Sequence, residues 1–184
     1  PLRELAAARR IAVRVEGDEV LVAAPDALGL LSRASGVLAL HSLDVRSASI
    51  STVEGIAVNR FVVQPRFGAL PEASLIEADL RRAIAGDLPL PQRLAAKERA
   101  YGSDRPTQAP PPRVLWFEDE ATDATVVEVR CADSIGLLHR LTGALERCGL
   151  DIRSALASTR GASVVDSFYV LGPDGSPRLG AADR

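Results

Sequence analysis

Few residues of this 184-residue chain are of a type that does covalent chemistry. Two cysteines, Cys131 and Cys148, and two histidines, His41 and His139, are the whole set of thiol and imidazole side chains. Zinc asks for three or four such ligands at tight spacing, and no CxxC or HxxxH occurs. A disulfide scaffold asks for more cysteines in a shorter chain. Cys148 with His139 would supply a nucleophile and its base. Cys148 falls on the apolar stripe of a predicted helix, however, where core packing is its expected role. The sequence carries no Gly-Ser with paired aspartates for nucleotidyl transfer and no His-Asp dyad for metal-dependent phosphodiester cleavage. No catalytic and no metal-ligating residue is expected.

Non-covalent chemistry is better provided for. Asp26 and Gly29 recur as Asp133 and Gly136, each pair between an alternating apolar run and a helical pattern. At such a turn the backbone N–H groups of a helix start favour an anion. Glycine lets a ligand approach the backbone closely. Aspartate offers an acceptor for a cation, and it is equally a routine helix cap. Asp44 and Asp151 recur in the same way further along, followed by Arg46 and Arg153. Each arginine reads either as a charge guarding an exposed edge strand or as a carboxylate contact.

These residues recur because the chain repeats itself. Residues 20–63 align with residues 127–170 without a gap, and about 19 of 44 positions are identical. Two copies with a long spacer suggest two like domains rather than a solenoid. In each copy Val20, Val22 and Ala24, or Val127, Val129 and Cys131, alternate as in a strand. Leu30, Leu31, Ala34, Val37 and Leu38, or Leu137, Leu138, Leu141, Ala144 and Leu145, follow at helical spacing. That helix ends near Ser42 in one copy and at Gly149 in the other. Strands are predicted over 44–52 and 58–63, and over 151–159 and 164–171. In the last strand of each copy apolar residues occupy both parities, so the pattern assigns no inner face. Copy one adds a helix opening at Pro71 and closed by Gly86. An extra strand precedes each copy, over 11–15 and 114–117. Together these predict four-stranded antiparallel sheets whose edge strand comes from the N-terminal side. After Leu171 copy two holds a turn and at most the start of a second helix, which would leave an apolar sheet face to be covered.

A short helix is expected over 92–101, and residues 103–112, with Pro106, Pro110, Pro111 and Pro112, read as a joint between domains. The expected division is therefore a first domain over 11–102, a linker over 103–112, and an incomplete second domain over 113–184. Hydrophobic residues make up 47% of the chain and charged residues 25%, which suits a globular fold. A formal net charge of -2 argues against a phosphate-gripping nucleic-acid binder and against a polybasic membrane anchor. No apolar run is long enough to span a membrane. The cysteine usage favours a reducing, cytoplasmic compartment. The chain begins at Pro1 and contains no Met, as expected of a fragment of a longer protein. Trp116, the single tryptophan, is expected in core or interface packing.

The repeated signature, Asp26-x-x-Gly29-Leu30-Leu31 with Leu43-Asp44-Val45, and Asp133-x-x-Gly136-Leu137-Leu138 with Leu150-Asp151-Ile152, resembles the ACT domain, a small amino-acid-sensing regulatory fold. The tandem arrangement, with the run from Val114 to Ala155, looks like the C-terminal end of the bifunctional uridylyltransferase/uridylyl-removing enzymes. The resemblance implies an α+β fold of two ferredoxin-like βαββαβ-type domains with helices on one face. It implies glutamine as an allosteric ligand that shifts a parent enzyme from attaching nucleotide to the PII nitrogen-signalling protein toward removing it. A magnesium-dependent parent and homodimerisation through the sheets are implied as well. Asp26, Gly29, Leu30, Asp44, Val45, Asp133, Gly136, Leu137, Asp151 and Ile152 are carried over as ligand-binding residues. The family often has Arg-Pro between the Asp and the Gly, where this chain has Ala27-Leu28 and Ser134-Ile135. Another amino-acid-pathway enzyme, or a structural module that only joins sheets, are the alternative readings.

Overall fold

The computed structural model describes residues 11–101, 111–117, 123–160 and 163–179. The first copy contributes β1 (Ala12–Glu16), β2 (Glu19–Pro25), α1 (Leu30–Leu40), β3 (Leu43–Val53), β4 (Ile56–Pro65), α2 (Ala73–Ala85) and α3 (Leu90–Tyr101). The second contributes β5 (Arg113–Phe117), β6 (Thr125–Ala132), α4 (Leu137–Arg147), β7 (Asp151–Arg160) and β8 (Ser163–Leu171). The architecture is α+β, as the repeat predicts. The extra strands stand where expected: β1 pairs antiparallel with β2, and β5 with β6, at the two ends of the sheet.

The two four-stranded sets do not remain separate sheets. They join into one antiparallel eight-stranded sheet of order β1-β2-β4-β3-β7-β8-β6-β5. The order reads the same from either end once copy one is exchanged for copy two. The joint is the antiparallel pairing of β3 with β7, centred on Ala48 opposite Ala155, two equivalent residues of the repeat. A strand rich in Ser and Ala pairs here with its own copy, over Ser47–Ser49 and Ser154–Leu156. Arg46 and Arg153 therefore lie on interior strands, just outside that three-pair ladder, and not on edge strands. Each is the extra residue of a bulge, between Val45 and Ser47 and between Ile152 and Ser154. Arg46 donates to the Gln64 side chain, and Arg153 pairs with Asp151 at 3.0 Å.

Burial assigns the face that alternation left open. Ala57, Phe61 and Val63 on β4, and Val164, Phe168 and Val170 on β8, are buried. Phe61 and Phe168, equivalent in the repeat, are 0% exposed, and burial of this kind contributes about 1.5–3 kcal/mol per side chain. One continuous cluster runs from Val20 and Leu38 through Ala48 and Ala155 to Val127 and Val170. Leu179 is buried in it and Trp116 packs against it, whereas Val114 and Leu156 of the second copy stay exposed. Residues 172–179 form turns without a helix.

Helix α1 is buried on nearly all sides because it packs against α2, α3, α4 and β3. Its seam with α4 is again symmetric. His139 Nδ1 lies 2.7 Å from the Ser32 carbonyl, and a Cβ on Gly36 would stand 3.0 Å from that ring nitrogen. Cys148 is exposed just beyond α4, and is not on a buried stripe. Nine residues of helix place it roughly 13 Å from His139, so the two form no nucleophile–base pair. α2 begins at Ala73, two residues after Pro71, and α3 begins at Leu90, two before the expected start. Most of the proline-rich joint lies outside the described residues.

Candidate functional site

Gly29 and Gly136 are the N-caps of α1 and α4, both left-handed, with φ of 83° and 74°. Neither helix start has a side-chain cap. Asp26 and Asp133 are therefore not caps. Asp26 accepts a hydrogen bond from Thr52 Oγ1 at 3.2 Å, and Asp133 lies 3.6 Å from Arg66 Nη2. Leaving the first helical turn uncapped keeps donors at a position where the helix dipole favours an anion.

The antiparallel joint sets each of these turns beside the second-strand start of the other copy. One cleft is lined by Asp133, Gly136 and Leu137 from copy two together with Asp44 and Val45 from copy one. The other is lined by Asp26, Gly29 and Leu30 from copy one together with Asp151 and Ile152 from copy two. All ten residues singled out by the sequence thus fall into two clefts, five in each. Both clefts are open to solvent, and the room for a water-sized sphere is about 70 Å³ in the first and about 230 Å³ in the second.

The floors hold residues that the pattern did not single out. Asp166 on β8 lines the first cleft and is 3% exposed, and its Oδ1 has no hydrogen-bond partner among the described residues. Burial, and then the nearby Asp133 charge, push its carboxyl up to about 7. The equivalent residue on β4, Asn59, floors the second cleft at 1% exposed, with both amide atoms unpartnered. Glu146 on α4 also lines the second cleft. Burial raises its carboxyl, against the opposing pull of Ser32, Arg33 and Arg147.

The walls differ as well. In the first cleft Arg66 donates to Asp44 at 2.6 Å and reaches Asp133 at 3.6 Å, so one guanidinium spans both copies. Lys97 of α3 donates to the carbonyls of Ala39 and Leu40 and to Ser42 Oγ, at 2.6–2.8 Å. These bonds close the C-terminal end of α1 and hold Ser42 in its left-handed conformation, φ 59°. Burial, with Arg66 nearby, lowers the Lys97 ammonium. Glu98 of the same helix accepts from the Ile135 amide at 2.6 Å, and Leu94 packs onto Gly136. The equivalent loop residue in the second cleft, Leu28, is 74% exposed because no such helix covers it. Among the described residues no group of three His, Cys, Asp or Glu could hold a metal ion.

This arrangement can hold a small zwitterion. Carboxylates converge from both copies, and an uncapped helix start faces them.

No family model matches the chain. It is 43% identical over 171 residues to the bifunctional uridylyltransferase/uridylyl-removing enzyme of Streptomyces coelicolor, a match covering 89% of this chain and 20% of that protein. It is 37% identical over 168 residues to the enzyme of the same name from Mycobacterium tuberculosis, covering 84% of this chain and 21% of the relative. The Rhodospirillum rubrum enzyme of that name is 35% identical over 157 residues, covering 83% and 17%. The chain is thus homologous to a segment of these enzymes and spans about one fifth of their length.

Proposed function

We propose that this chain is the amino-acid-sensing regulatory region of a bifunctional uridylyltransferase/uridylyl-removing enzyme. It is built of two ACT domains, one over 11–102 and one over 113–184, and glutamine is its ligand. In this reading glutamine in the clefts shifts the parent, in the cytoplasm, from attaching nucleotide to PII toward removing it. The observation that supports it is the pairing of each strand-to-helix turn with the Asp of the other copy. That pairing puts ammonium acceptors opposite carboxylate donors, and it makes ligand affinity depend on how the copies sit together. The parent's transfer chemistry and its magnesium belong to the same proposal for the longer protein. The described residues of this chain offer that metal no site.

Calorimetric titration with glutamine, against glutamate and asparagine as controls, tests the reading. Saturable heat with glutamine is expected. Absence of both heat and a thermal shift with glutamine overturns it and leaves the structural module, which the continuous sheet also suits.

A further inference from the structure

The repeat makes the two clefts alike in outline, and the residues that differ lie at the positions a zwitterion would use. Asp166 carries an acceptor oxygen that is buried and unpaired on the floor of the first cleft. A buried acceptor without a partner costs free energy, about 1–3 kcal/mol, and a ligand donor would relieve that cost. The α4 start above it is uncapped, and Arg66 and Lys97 stand on the wall. Asp44 and Asp133 share Arg66 and hold it at the mouth. In the second cleft the same floor position is the neutral Asn59, and no Arg or Lys is among the lining residues. The nearest cations are engaged or lie outside it. Arg153 pairs with Asp151, Arg33 donates to the Leu28 carbonyl, and Arg147 faces Glu146.

We propose that the clefts are functionally unequal: the Asp166 cleft takes one α-amino acid per chain, Asp166 receiving its ammonium, and the Asn59 cleft takes none. This rests on the amino-acid-sensing reading and narrows it to one cleft and one specificity residue. An ammonium needs a charged acceptor in a desolvated site to replace its water. Asp166 supplies one once it gives up the proton that burial holds on it up to about pH 7, and Asn59 supplies only an amide. The carboxylate end is favoured by the α4 start and by Arg66 and Lys97 on the cleft wall, whereas the guanidinium beside the α1 start, Arg33, is tied to the Leu28 carbonyl and does not line the second cleft.

Glutamine is the probe. Titration of the full chain is expected to give one site, with backbone amide shifts at Gly136 and Leu137 and none at Gly29 and Leu30. Asp166→Asn is expected to weaken glutamine at least tenfold, and Asn59→Ala to leave it unchanged. Two sites per chain, shifts at Gly29, or weakening by Asn59→Ala but not by Asp166→Asn would overturn the inference while leaving the sensor reading intact. No binding of glutamine to the unaltered chain overturns both. The amide shifts need no substitution, so the result stands even if a variant fails to fold.

Discussion

At the scale of the residue, Asp166 shows how a proposed binding group and a stability liability coincide. Its carboxyl ionises near 3.8 when unfolded and near 7 in the fold. Between those values the folded chain holds the proton and the unfolded chain does not. Stability therefore falls as pH rises from about 4 to 7, by at most about 4 kcal/mol. Asp166→Asn removes that term. Its thermal midpoint, read by circular dichroism melts, is expected to exceed the parent's at pH 7.5 and to fall less than the parent's between pH 4 and 7, the remainder coming from buried Glu146. A variant with the parent's pH profile would show that Asp166 does not titrate as its burial requires. The same variant is expected to bind glutamine more weakly, a combination that a purely structural role would not produce. Asp166 was in reach of the sequence. It shares parity with Val164, Phe168 and Val170, and the repeat maps it onto another polar residue, Asn59, within VVDSFYV and VNRFV. The signal was hidden because both parities of that strand are largely apolar.

Individual elements show what periodicity reads and what it leaves open. The strand, helix, strand and strand of each copy stand where alternation and helical spacing put them. The boundaries that moved, at Pro71 and at the start of α3, are those where local propensity competes with packing. Helix α3 read only as a short helix before a joint. In the structure Leu94 and Glu98 lie across the turn before α4, Lys97 closes the end of α1, and together they make one cleft unlike the other. Those contacts join residues 37 to 58 positions apart, which no local pattern encodes. The α1–α4 seam depends on Gly36, where an added Cβ already meets His139 and Leu90 at 3.0 and 3.1 Å. Gly36→Leu is expected to force the helices apart and to cost about 1–3 kcal/mol. A lower urea midpoint would register that loss. An unchanged midpoint would mean that the two helices do not meet at this position.

The whole molecule is held by a single core and a single sheet, and this sets how it unfolds. The buried cluster passes through the Ala48–Ala155 joint without interruption. Calorimetry is therefore expected to give one cooperative transition, with calorimetric and van't Hoff enthalpies equal. Two resolved transitions would mean that the copies melt as separate units. The sequence by itself determined the repeat, the order of elements in each copy, and the aspartates and glycines at the turns. All of these depend on residues close in the chain, whose spacing mirrors the periods of strand and helix. It also held the resemblance to the bifunctional uridylyltransferase/uridylyl-removing enzymes, which the relatives bear out. Only the tertiary structure decided that β3 pairs with β7. That pairing brings Asp44 to Asp133 and Asp26 to Asp151, and sets Asp166 and Asn59 on the two floors. Strand pairing between distant segments depends on which edges and faces meet in space, and the pattern along one strand is the same whichever partner it finds.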